Sequence, residues 1–327
     1  MKVGLGTWRF LLAALVAISH LWEGMIHGPA AYAVWGFFIL SGYLMTHVLC
    51  FKYGHEEGGL RDYAFNRFLR IYPAYAVAVV AGAATLYILP RIGVLPSALN
   101  PQFVRPHGAL EWLSNAFLLP IPTPGLFVPV AGALAVEIGA YVLMPLMAMN
   151  RSAAWLAFIL SAALNVKYGF GLETFGDRYS GFLTCFMAFA AGTLLSQYRE
   201  PLSRLRAPWL SLLAWGLHCL VWLRFPYWPW TYGLYASLLL SAWVVLSLAP
   251  SKPGRLDQFL GDLSYPVYLF HTTAAIWLVA AGMQMRSFPF FCVAFVITLV
   301  VSWLVIRLVD RPLAGLKKKR IERMKQA

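Results

Sequence analysis

Charge is scarce in this sequence, and acid is scarcer than base. Only 12% of the 327 residues are charged, and Asp and Glu supply 13 of them against 26 Lys and Arg. Soluble globular domains carry charge on roughly a quarter of their residues, so that class is excluded. Cysteine is sparse too. Cys50, Cys185, Cys219 and Cys292 lie far apart and form no CxxC pair, which excludes a disulfide framework and a cysteine zinc site. Walker and Rossmann glycine patterns and an HExxH helix are missing, so no metal or tightly bound cofactor is expected. Internal repeats of the kind built into many transporters are not visible.

Apolar sequence is what the chain has in abundance, at 60% of its residues. It falls into ten runs: 8–26, 33–51, 71–90, 129–150, 153–168, 181–198, 208–223, 232–249, 263–282 and 288–309. Most have the length of about 17–25 residues that a helix needs to cross a bilayer. The expected fold is therefore all-α, a polytopic membrane protein of about ten transmembrane helices, with one domain over 1–327. The net charge of +13 lies in the connections, not on a soluble face, so nucleic acid is not an expected partner. With the N-terminus in the cytoplasm, inner connections and tails hold 18 Lys and Arg and outer ones 6, while Arg9 and Arg307 fall within runs. The positive-inside rule then places both termini inside, and the basic tail 316–327 along an anionic leaflet. Lys2 and Arg9 ahead of the first run imitate a signal peptide. His20, however, stands where a cleavage site would need a small neutral residue, and the run is read as an uncleaved span.

Arg9 and His20 are eleven residues apart in that run. Eleven helical residues advance about 16 Å and overshoot three turns by only about 20°, so both side chains share one face. Ionisable groups within a span normally face a bundle interior or a cavity and are functional candidates; the alternative is a snorkelling Arg9 and a packing His20. In the next inner connection Leu60 to Tyr72 reads as an amphipathic interfacial helix. It carries Arg67 and Arg70 three apart on one face, suited to a bidentate phosphate clamp or to membrane anchoring. Glu137, a lone carboxylate in an apolar run, could orient His20, bind an acceptor hydroxyl or pair with an arginine. Residues 90–129 hold eight of the 20 prolines and read as an irregular outer lid. His271 is a second imidazole within a run, read as a core histidine bonded to a neighbour.

These residues lie in segments that resemble the acyltransferase-3 family of membrane proteins. Arg9 and His20 match its R-x10-H signature, and Gly36 to Thr46 is similar to its second-span motif. Arg67 to Pro73 resembles R-x-x-R-I-x-P, and Glu137 followed by Met144 and Pro145 its glutamate span. Ser264 to His271 and Asp310 to Pro312 resemble its late S-Y-x-x-Y-L-x-H and E-R-P elements. The motifs are collinear over nearly the whole chain. Departures are the opening Leu5 to Arg9, Ile138 in place of Trp after the glutamate, and Asp310 in place of Glu. An appended SGNH-type hydrolase domain is not expected.

The resemblance implies an O-acyltransferase of the bacterial inner membrane that takes acyl, usually acetyl, from cytoplasmic acyl-CoA to a hydroxyl of an extracytoplasmic glycan. Arg9, Arg67 and Arg70 would then bind the donor phosphates, and His20 and Glu137 would be catalytic. His20 would serve as general base or as acyl relay. The partners implied are acyl-CoA, a polysaccharide or lipid-linked glycan, and the bilayer. A different class, a transporter or flippase using Arg9 and His20 as substrate or proton sites, is the alternative; a passive scaffold would explain neither residue.

Overall fold

The computed structural model describes residues 3–54, 57–313 and 315. The basic tail 316–327 and Lys2, both used in the sidedness argument, lie outside the described residues. Twelve α-helices, several short 3-10 and π segments and no strand occur among the described residues. They are α1 (Leu5–Leu21), α2 (Ala30–Val48), α3 (Glu57–Ile88), α4 (Ala109–Phe117), α5 (Ala131–Met149), α6 (Arg151–Tyr168), α7 (Phe175–Ser180), α8 (Phe182–Gln197), α9 (Pro208–Leu220), α10 (Tyr232–Leu248), α11 (Arg255–Ala280) and α12 (Phe288–Val305). The protein is all-α, as the apolar runs require.

Each of the ten runs is helical. Five helical stretches are long and apolar enough to cross a membrane: Ala30–Tyr53, Gly58–Ile92, Ala131–Met149, Arg255–Ala280 and Phe288–Leu313. α1, α8, α10 and the stretch Pro208–Leu223 are apolar but shorter.

Two elements differ from the sequence reading for one reason. The interfacial helix expected over Leu60 to Tyr72 is the first part of α3, which runs unbroken for 32 residues through Pro73. α11 likewise begins at Arg255, eight residues before its apolar run. In both places polar residues lower the hydropathy, yet the helix continues because the protein uses them. Arg67 and Arg70 turn into a cavity, and Asp257 caps another helix.

That cap fixes the site's frame. The Asp257 carboxylate is buried and accepts hydrogen bonds from the Gly4 N–H (3.0 Å), the Gly6 N–H (3.3 Å), the Thr7 N–H (2.7 Å) and the Thr7 hydroxyl (2.8 Å). It thereby satisfies donors that the start of α1 leaves without an intrahelical partner, and its negative charge suits the helix N-terminus. The helices touch backbone to backbone here. A Cβ on Gly6 would run into the Asp257 carbonyl, and one on Gly261 would lie 2.9 Å from the Gly6 Cα. Small residues at such crossings let membrane helices pack closely. α1, which carries Arg9 and His20, is thus locked in register with α11, which carries His271.

Replacing Asp257 by Ala strands several amide donors in an apolar environment, a cost of about 1–3 kcal/mol per unsatisfied group. Asp257→Ala should lower the unfolding midpoint of the detergent-purified protein, as read by tryptophan fluorescence. An unchanged midpoint would remove the cap from the account of the fold.

Candidate active site

Five helices line a cavity of about 720 Å³, open solvent included: Arg9 of α1, Ser41 of α2, Arg67 and Arg70 of α3, Glu137 and Tyr141 of α5, and Tyr265 and Tyr268 of α11. Residues up to 259 positions apart meet here through helix packing alone. The three arginines proposed from sequence share this cavity, with Glu137 among them. Arg70 has a protein partner, Asp262 at 3.6 Å, whose own side chain is about half exposed. The Nε atoms of Arg9 and Arg67 are buried with no hydrogen-bond partner among the described residues. Buried polar atoms are normally satisfied, and an orphaned guanidinium N–H beside a cavity suits an anionic ligand with phosphate geometry.

Glu137 is held differently from expectation. Both the Ser41 hydroxyl and the Tyr141 hydroxyl donate to its Oε1. It does not reach His20, which lies outside this cavity. Orienting His20 is therefore not its task. It shares its cavity with Arg9, Arg67 and Arg70, with no ion pair to them among the described residues. Tyr141 follows Glu137 by one helical turn, a spacing that places both on one face and was visible before the structure.

His20 lines a second, larger cavity of about 1480 Å³. Its other walls come from α5, from Tyr268 and from the proline-rich segment, which contributes Asn100, Gln102, Asn115 and Thr123 among others. That segment is no long helix. It folds as short turns and α4, tied to the bundle by the hydroxyls of Tyr72 and Tyr75, which donate to the carbonyls of Phe117 (2.9 Å) and Asn115 (2.6 Å). Val34, Phe38, Ala133 and Tyr268 line both cavities and form the boundary between them. The arginines lie on one side of this apolar neck and His20 on the other.

The partner of His20 is His271. Nδ1 of His20 lies 2.9 Å from Nε2 of His271, and the rings are nearly parallel at 14°. His271 is fully buried, and its Nδ1 faces two carbonyl oxygens, those of Tyr268 at 2.8 Å and Val267 at 3.2 Å. A carbonyl only accepts, so this Nδ1 carries the hydrogen. In a neutral ring Nε2 is then the acceptor, and it takes its bond from the Nδ1–H of His20. The chain of bonds fixes the tautomer of His20 and leaves its Nε2 lone pair for a ligand. Sequence reasoning read His271 only as a core histidine bonded to a neighbour and did not name His20 as that neighbour. The signal was its place at the end of the Ser264 to His271 motif.

A fixed imidazole lone pair thus belongs to one cavity, and guanidiniums whose Nε atoms lack a partner among the described residues line its neighbour. The family model described as an acyltransferase domain, the acyltransferase-3 type, matches residues 3–307. The chain belongs to the acyltransferase-3 family. It is a membrane acyltransferase by that membership and by its apolar helices. No curated protein and no solved structure matches it.

For this acyltransferase the dyad makes a separable prediction. His271→Ala leaves His20 in the fold but removes the acceptor that sets its tautomer. Acyl transfer should fall by on the order of tenfold or more, with donor binding unchanged. A His271→Ala enzyme of full activity would return His271 to packing.

Proposed function

We propose that this acyltransferase moves an acyl group, acetyl as the first expectation, from cytoplasmic acyl-CoA to a hydroxyl of an extracytoplasmic glycan. The observation that carries the reading is the pair of neighbouring cavities, with anion-binding groups in one and a prepared imidazole in the other. The fold then has ten spans with both termini in the cytoplasm of a bacterial inner-membrane protein, as the distribution of basic residues supports.

In this reading Arg9 and Arg67 hold donor phosphates, their orphaned Nε atoms finding acceptors in the ligand. Arg70, shared with Asp262, adds charge at the mouth. Glu137, fixed by Ser41 and Tyr141, acts on the donor side. The pantetheine arm passes between Val34, Phe38, Ala133 and Tyr268 and brings the thioester to His20. Along α1 the eleven residues from Arg9 to His20 rise about 16 Å, a span that suits an extended arm. His20 Nε2 takes the proton of the acceptor hydroxyl as its oxygen bonds to the acyl carbon. The carbon–sulfur bond breaks, and the departing thiolate receives that proton. A neutral imidazole suits this task at physiological pH, and His271 stabilises the charge that develops on the ring. The lid over 90–129 roofs the acceptor side.

The transporter reading has no feature of its own here, whereas the His20–His271 dyad has the geometry of a base and its orienting partner. Incubation of the purified protein with labelled acetyl-CoA and membrane glycan, followed by mass spectrometry, tests the proposal. His20→Ala should abolish transfer while coenzyme A still binds. Arg67→Ala should weaken coenzyme A by about tenfold or more, since a hydrogen bond to a charged group contributes about 1.5–3 kcal/mol. Arg70→Ala should cost less, because Asp262 already occupies part of its charge. Unchanged affinity in Arg67→Ala would return that residue to membrane anchoring. Full transfer by His20→Ala would overturn the assignment of the base.

A further inference from the structure

A third cavity, of about 980 Å³, lies apart from the two just described. It is formed where α2, α5 and α8 end and α6 begins. This is the end of the bundle from which α3 starts, only a few residues beyond α2. None of its lining residues belongs to the acyl-transfer site.

Its electrostatics are one-sided. Arg199 lies over the Phe51 ring at 4.3 Å, and Arg151 lies 5.0 Å from the Tyr198 ring centre, so aromatic faces hold both guanidiniums in place. Arg151 is also the first residue of the 18-residue α6. A cation there adds to the positive end of the helix dipole instead of offsetting it. Arg206 reaches the Arg199 carbonyl at 3.4 Å and brings a third cation close by. The one acid in the lining, Glu200, is 3.4 Å from Arg199, but its side chain is 83% exposed and the contact is solvated.

Gln197 supplies the complementary feature. Its Nε2 donates to the carbonyls of Met147 (2.8 Å) and Ala148 (3.3 Å) in the last turn of α5. That fixes the amide orientation and leaves its Oε1 buried without a donor among the described residues. The cavity therefore combines phosphate-binding cations with an acceptor that lacks a hydroxyl or N–H. At the rim, Phe51 and Met149 are 62% and 57% exposed, apolar surface suited to an acyl chain.

We propose that this cavity binds the headgroup of an anionic lipid carrying both a phosphate diester and free hydroxyls, a phosphatidylglycerol-type lipid. Arg151 and Arg199 take the phosphate and Gln197 Oε1 takes a glycerol hydroxyl. The site is independent of the acyl-transfer reading. The exposed Phe51 and Met149 favour a lipid over a soluble glycerol phosphate.

Native mass spectrometry of the detergent-purified chain, titrated with dioleoyl lipids, tests this. Phosphatidylglycerol should bind at least tenfold more tightly than phosphatidylcholine, and more tightly than phosphatidic acid, which lacks the hydroxyls. The double variant Arg151→Gln, Arg199→Gln should bring phosphatidylglycerol to the phosphatidylcholine level. Gln197→Leu should erase only its advantage over phosphatidic acid. Lys252→Gln with Arg255→Gln removes the same charge from exposed positions outside the cavity and should leave the preference intact. Three results would overturn the proposal: equal binding of phosphatidylglycerol and phosphatidylcholine, equal loss in the Lys252 and Arg255 control, or free glycerol 3-phosphate binding as tightly as the lipid.

Discussion

An ionisable group drawn into an apolar helix bundle needs its partner inside the protein or in a ligand, because lipid offers none. The rest of the structure follows from how that demand is met. Asp257 meets it with the amides at the start of α1, Glu137 with two hydroxyls, and His20 with His271. Arg9 and Arg67 leave it unmet at Nε among the described residues. The satisfied groups build the frame, and the unsatisfied ones line the cavity proposed for the donor.

The same demand links stability to chemistry. Asp257 locks α1 against α11, and that packing brings His20 to His271. Register is a condition for the dyad: a slip of one residue turns a helix by about 100° and would carry the imidazoles apart. The Tyr268 carbonyl sets the tautomer of His271, its ring lines both cavities, and its hydroxyl donates to the Val130 carbonyl at 2.9 Å. One residue thus ties the neck to the base.

Much of this was legible in the sequence, and unevenly so. Apolar runs located ten helices because a span must be long and nearly uncharged. Their ends were misjudged at α3 and α11, where polar residues belong to helices that continue. The spacing of Arg9 and His20 gave a shared helix face, and Arg67 and Arg70, singled out as a pair, line the same cavity. Partners were harder. Ser41 lies 96 residues from Glu137, and His271 lies 251 from His20. Helices that are apolar on every side carry no stripe to say which faces meet. Glu137 was accordingly left with three open roles, and the neighbour bonded to His271 could not be named.

The central claim is that donor and acceptor approach from opposite sides of the membrane, and oriented vesicles test it most directly. With the cytoplasmic face outward and glycan enclosed, labelled acetyl-CoA added outside should label the enclosed glycan, and glycan placed outside with the donor should stay unlabelled. Equal labelling of glycan confined to the cytoplasmic face would contradict the account.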